Sequence, residues 1–132
     1  MTENYVFSLP IAVRDYELDS EGIVNNAVYL HYFEHTRHAF CVERGFPFAQ
    51  MAAEGIIPVV NRIEVDYRVP LRSGDVVDSK LRVDLRGVRF VFSQDLYLSG
   101  TDTLVAKAVV SVVAIENGRL SRGERFKPYL LQ

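Results

Sequence analysis

Residues 15–34 read DYELDSEGIVNNAVYLHYFE, and the rest of the chain is organised around this stretch. Asp19, Ser20, Glu21 and Gly22 are loop formers in succession. Asn25 and Asn26 follow, both residue types whose side chains accept from the unpaired amides at a helix start. No helix breaker then intervenes until Gly45, so a helix is predicted from about residue 26 to 44, closed by that glycine. An acidic side chain is thereby delivered just upstream of a helix N-terminus, whose unpaired N–H groups carry roughly half a positive charge. Such an end can hold an oxyanion or a polarised carbonyl oxygen while a carboxylate works beside it. That combination suits acyl transfer, although Asp and Asn before a helix are also what any capped helix start looks like.

Upstream of this stretch, residues 5–14 alternate loosely and read as a strand, with Pro10 pointing to an edge position or a bulge. Within the helix, Tyr29, Phe33, Thr36 and Phe40 recur at helical spacing. Leu30, Tyr32, Ala39 and Val42 widen that surface, which predicts a helix largely wrapped by other structure. Residues 46–55 fit a short second helix or turn. Ile63, Val65, Tyr67 and Val69 then alternate with Arg62, Glu64, Asp66 and Arg68, a half-exposed strand ending at Pro70. Residues 77–86 and 88–98 form two more strands across Gly87. Residues 104–115 are mostly apolar, as in a strand covered on both faces. Asn117-Gly118 marks a turn, and the tail carries little pattern. One strand, one long helix and four strands joined by short turns describe an antiparallel sheet curled around a helix, an α+β fold.

With 132 residues the chain fits one domain spanning 1–132, and 48% hydrophobic with 24% charged residues is ordinary for a globular protein. A formal net charge of -2 gives no general attraction to nucleic acid or an anionic membrane. Cys41 is alone, which excludes an internal disulfide. The first residues, MTENYVFSLP, lack the basic start and apolar core of a signal peptide. No apolar run approaches the roughly 18 residues of a membrane span. A soluble cytoplasmic protein is expected, with no nucleic-acid or membrane partner.

The string D-x-x-G-x-V-N-N-A-x-Y, here Asp19, Gly22, Val24, Asn25, Asn26, Ala27 and Tyr29, resembles the active-site signature of hot-dog thioesterases of the 4-hydroxybenzoyl-CoA thioesterase type. The longer run from Val13 to Tyr29 is similar to long-chain acyl-CoA and plastid acyl-lipid thioesterases. Tyr32, Phe33, Glu34 and Arg37 extend the likeness, and residues 68–75, RVPLRSGD, carry it again. Many relatives have His where this chain has Ile23, and another branch has His in place of Asn26, so no imidazole role is carried over. The resemblance implies a hot-dog fold, hydrolysis of an acyl-CoA or an acyl-carrier-protein thioester, no cofactor or metal, and a homodimer or homotetramer with sites at the dimer interface.

It also implies roles. Asp19 matches the catalytic aspartate, as nucleophile or as general base toward water. The backbone N–H of Asn26, joined by Ala27, matches the oxyanion donor; removing one such donor in other enzymes costs about 3 kcal/mol of barrier. The side chains of Asn25 and Asn26 could orient the thioester or simply cap the helix. Tyr29, one turn in, is a candidate for the acyl pocket, against a plain core role. Arg86 and Arg89 flank the Gly87 turn where such enzymes hold the coenzyme A phosphates, against the alternative of solvated surface charge.

Other titratable groups have plainer readings. Glu34 can pair with Arg37 or His38 on its own helix, Asp15 with Arg14 or Arg37, and Cys41 belongs in the core. His31, His35 and His38 share a helix stripe, but Tyr32 follows His31 where the H-E-x-x-H zinc motif needs Glu. Three ligands on one helix cannot readily surround a tetrahedral ion. Two rival functions remain: a non-enzymatic acyl-CoA-binding module, and a hydratase or dehydratase, which usually needs an Asp/His pair that residues 1–30 lack.

Overall fold

The computed structural model describes residues 4–131. Its order is β1 (Phe7–Ala12), a 3-10 turn (Asp15–Glu17), α1 (Asn26–Glu43), α2 (Phe48–Ala53), β2 (Ile56–Tyr67), β3 (Val76–Arg86), β4 (Arg89–Leu98), β5 (Leu104–Glu116), β6 (Arg119–Ser121) and α3 (Lys127–Leu130). All pairings are antiparallel, in the order β1-β3-β4-β5-β2, with β6 beside the end of β5. The α+β architecture expected from the sequence is therefore present. β1 lies at one edge, where Pro10 needs no second ladder partner.

Helix α1 crosses one face of the sheet. Tyr29, Tyr32, Phe33, Thr36 and Phe40 are its buried residues, the stripe that the spacing predicts. They meet the alternating side chains Val77, Leu81, Phe90, Phe92, Leu96, Ala108 and Val110 of the sheet floor, all buried. The contact is not purely apolar. Thr36 Oγ1 bonds Ser79 Oγ at 2.6 Å, and Gln94 Nε2 donates to the Phe33 carbonyl at 3.0 Å. These buried polar pairs fix the helix position along the sheet, since leaving either group unpaired costs about 1–3 kcal/mol.

Three expectations need correction. The helix is covered on one side only: Leu30 and Val42 are 38% and 59% exposed, because no layer of this chain lies beyond them. The strand placed after residue 62 begins at Ile56, since Val59 and Val60 pair with Val113 and Val112 before a bulge shifts the register at Arg62. The weakly patterned tail is ordered by burial rather than by periodicity. Phe126 is fully buried, with ring centroids 5.1 Å from Phe46 and 5.8 Å from Phe90.

The edge strand β2 is long and exposes Ile57, Val60, Ile63 and Tyr67. Among the described residues, none pairs with its outer edge. No helix of these residues is long and apolar enough to cross a membrane.

Candidate active site

The loop before α1 is closed tightly. Leu18 and Val24 form an isolated antiparallel bridge, and the Asp19 N–H donates to the Ile23 carbonyl at 2.8 Å. Gly22 takes φ +78 at the tip, a left-handed conformation that other residues adopt only with strain. The Asp19 carboxylate braces this turn through one oxygen: Oδ1 accepts from the N–H of Glu21 at 2.9 Å and of Ile23 at 3.4 Å. Among the described residues, Oδ2 has no partner. The aspartate is thus aimed by its own loop while one oxygen stays available.

The loop is tied at both ends. The Val24 N–H donates to the Leu71 carbonyl at 2.9 Å and the Asn25 N–H to the Glu17 carbonyl at 3.0 Å. Glu17 itself is buried, and its Oε1 accepts from the Tyr32 hydroxyl at 2.7 Å and the Arg14 N–H at 2.9 Å. Burial first, and then the Glu17 carboxylate, push the Tyr32 phenol well above its ordinary range. This pair pins the loop's entrance to the helix core.

At the helix start, Asn25 is the N-cap and its Oδ1 accepts from the Ala27 N–H at 2.8 Å. Ala27 therefore has its amide engaged inside the protein. The Asn26 N–H has no acceptor among the described residues. The Asn26 carbonyl accepts from the Tyr67 hydroxyl at 2.9 Å, and the Tyr67 ring meets Tyr29 edge-on at 5.2 Å. Tyr29 is buried, which raises its phenol above the usual value, with the Leu71 amide acting in the opposite direction.

Asp19, Asn26 and Tyr29 line one open cavity of about 390 Å³, closed on its far side by Tyr67, Arg68, Val69 and Pro70. The wall from β2 was not among the candidate residues. Its signal was the RVP segment, which carries the family likeness but no chemistry of its own. Asn25 and Ala27 adjoin this cavity as cap and capped amide rather than lining it. Arg86 and Arg89 lie elsewhere, on the opposite sheet face from α1. They share a cleft of about 180 Å³ with Arg62, Glu64, Val91, Val109 and Ser111.

The histidines show no clustering: His31 and His35 are exposed, and His38 stacks on Phe48 at 5.0 Å. Among the described residues, no group of three His, Cys, Asp or Glu side chains is placed to hold a metal. Asp15 accepts from the Ser73 hydroxyl instead of pairing with Arg14, which bonds Glu17 at 3.4 Å. Arg37 turns inward to Gln94 Oε1 at 3.0 Å, away from the expected pair with Glu34.

A sheet curled around one long helix, with an acid loop at the helix start, is the architecture of a hot-dog thioesterase. The crystal structure of a protein from Aquifex aeolicus superposes with a TM-score of 0.85 at 30% identity, covering 96% of this chain and 99% of that one. The acyl-CoA thioester hydrolase YbgC of Escherichia coli is 28% identical over 84% of this chain and 83% of its own length. The chloroplastic acyl-acyl carrier protein thioesterase ATL2 of Arabidopsis thaliana is 32% identical over 83% of this chain, which spans 58% of that relative. The thioesterase-like superfamily profile matches residues 13–132, and the chain belongs to that family.

Proposed function

We propose that this protein hydrolyses acyl-CoA thioesters to free acid and coenzyme A. The observation that carries the reading is the shared cavity, which Asp19 and Asn26 both line. Asp19 attacks the thioester carbonyl directly or takes the proton of an attacking water. The developing oxyanion is held by the Asn26 N–H, at the positive end of an 18-residue helix. Asn25 shapes that donor by occupying the Ala27 amide. Tyr29 and Tyr67 form the wall against the acyl group. An acyl-carrier protein is the alternative thioester donor, in keeping with the name of the Arabidopsis relative.

The exposed apolar residues of β2 and its unpaired edge support a homodimer in which two β2 strands meet. Arg86 and Arg89, on the face of the joined sheet away from α1, offer guanidinium donors of the kind that bind the coenzyme A phosphates. A thiol-release assay over a panel of acyl-CoA chain lengths tests the reading. Stoichiometric acyl-CoA binding with no free thiol would mark a binding module instead.

A further inference from the structure

A second cavity lies on the same face of the sheet, between the C-terminal half of α1, the residues leading into α2, and β2. Its volume is about 160 Å³ and it shares no residue with the Asp19 cavity. Most of its walls are apolar, among them Cys41, Phe48, Val60 and Phe92, and Glu34, Arg37 and His38 line it as well. A cavity of about 150 Å³ lined by such groups is known to take up benzene, so a body of about six carbons fits this one.

One polar residue of the lining is held in place. Arg37 lines the cavity and is partly buried. Its Nη1 donates to Gln94 Oε1 at 3.0 Å, and Gln94 is fully buried with its amide group committed to the Phe33 carbonyl. That bond fixes the guanidinium and leaves its other N–H donors unused by Gln94. Among the described residues, no carboxylate lies within 4.0 Å of it. Glu34, exposed, lines the same cavity, and its charge favours the protonated guanidinium without an ion-pair contact. Burial lowers the guanidinium's proton affinity, and the Glu34 charge acts in the opposite direction.

Buried charges are ordinarily paired, because removing an ion from water without compensation costs several kcal/mol. A fixed guanidinium facing an apolar space of six-carbon size meets that requirement when an organic anion fills it. A planar fork of donors matches the two oxygens of a carboxylate. We infer that this cavity is a binding site for a small free carboxylic acid, its carboxylate on Arg37 and its apolar body against Phe92 and Phe48. Along the helix the site is about 16 Å from Asn26. On the function proposed above, the ligand belongs to the chemical class of the product. The neutral thioester has no carboxylate to offer Arg37, so the site distinguishes acid from substrate.

Titration of the full chain with benzoate, followed by calorimetry or by amide chemical shifts, tests the assignment. Benzoate is expected to bind and to perturb the amides of residues lining this cavity, while benzyl alcohol, its neutral analogue, binds at least tenfold more weakly. Arg37→Met is expected to weaken benzoate at least tenfold. Cys41→Phe, which fills the cavity and keeps the guanidinium, is expected to do the same if the methionine variant does not fold. Asp19→Asn is expected to leave benzoate binding unchanged, so the two sites fail or stand separately. Equal affinity for the alcohol, or undiminished benzoate binding by both cavity variants, would overturn the inference.

Discussion

Tyr67, on the free edge strand, donates its hydroxyl hydrogen to the main-chain carbonyl of Asn26 at 2.9 Å. The peptide between Asn26 and Ala27 is thereby held at both ends, its N–H by the Asn25 side chain and its carbonyl by Tyr67. The first turn of the helix is clamped while the preceding amide, that of Asn26, has no acceptor among the described residues. A single hydroxyl thus links the outer edge of the sheet to the proposed oxyanion donor.

Replacing that residue tests the link. Tyr67 is 49% exposed, so Tyr67→Phe removes the bond with little effect on the core. A net hydrogen bond contributes about 0.5–1.5 kcal/mol, which corresponds to about a two- to twelvefold fall in kcat for a group that only positions the donor. KM for the acyl-CoA is expected to stay within twofold. A rise in KM with unchanged kcat would instead make Tyr67 a substrate-binding wall alone.

Glu17 and Tyr32 form the support beneath the loop. Tyr32→Phe leaves a buried carboxylate with one donor fewer, and hydrogen bonds to charged groups are worth about 1.5–3 kcal/mol. Urea denaturation is expected to show a loss of that size. The raised phenol gives a second readout: tyrosinate absorbance in the folded protein should lack a contribution from Tyr32 at pH 11.

Cys41 is partly buried, packed against the core and in the wall of the Arg37 cavity, and burial pushes its thiol up to about 11 from an ordinary value of 9.0. Iodoacetamide should therefore modify the native protein slowly at pH 8. The rate should rise about tenfold per pH unit and level off near the raised value. Because the unfolded thiol ionises first, it holds fewer protons than the folded one between pH 9.0 and about 11. The contribution of Cys41 to stability is complete below that window and is lost as pH rises through it. A rate plateau near pH 8.5 in the folded protein would contradict the burial argument.

The tail depends on Phe126, which packs on Phe46 and Phe90. Phe126→Ala is expected to cost about 3–5 kcal/mol, measured by urea or thermal unfolding. Gly123, three residues earlier, has φ +65, and an added Cβ would stand 2.7 Å from the Phe90 ring. Gly123→Ala should therefore destabilise more than Gly74→Ala, where the left-handed φ of +85 is strained but nothing lies within 4 Å of an added Cβ.

This tail shows where sequence reading stops. Helix α1 was legible because its buried residues repeat at helical spacing and its ends carry Asn25 and Gly45. β3, β4 and β5 were legible because alternation and turn glycines mark them. Phe126 is a lone aromatic among charges, and only the space left by Phe46 and Phe90 gives it a place. The start of β2 was hidden for a related reason. Ile56, Ile57, Val59 and Val60 form a short apolar run, which periodicity cannot divide between helix and strand. Around the loop, Asp19 and Asn26 could be singled out by type and spacing. That Asn25 consumes the Ala27 amide, and that Tyr67 reaches back across the sheet, are facts of three-dimensional placement. Arg37 is a comparable case: i, i+3 spacing offers it Glu34, but the buried Gln94 across the interface draws it inward.

The central claim is that one oxygen of Asp19 acts on a carbonyl seated at the Asn26 amide. Its most direct test is steady-state thiol release from the preferred acyl-CoA by Asp19→Asn. This change keeps the side-chain shape and an oxygen able to brace the Glu21 and Ile23 amides. The account predicts an unchanged fold and oligomer, with kcat lower by at least about a hundredfold, the scale of losing a nucleophile or general base. Turnover within a few-fold of the unmodified protein would contradict it.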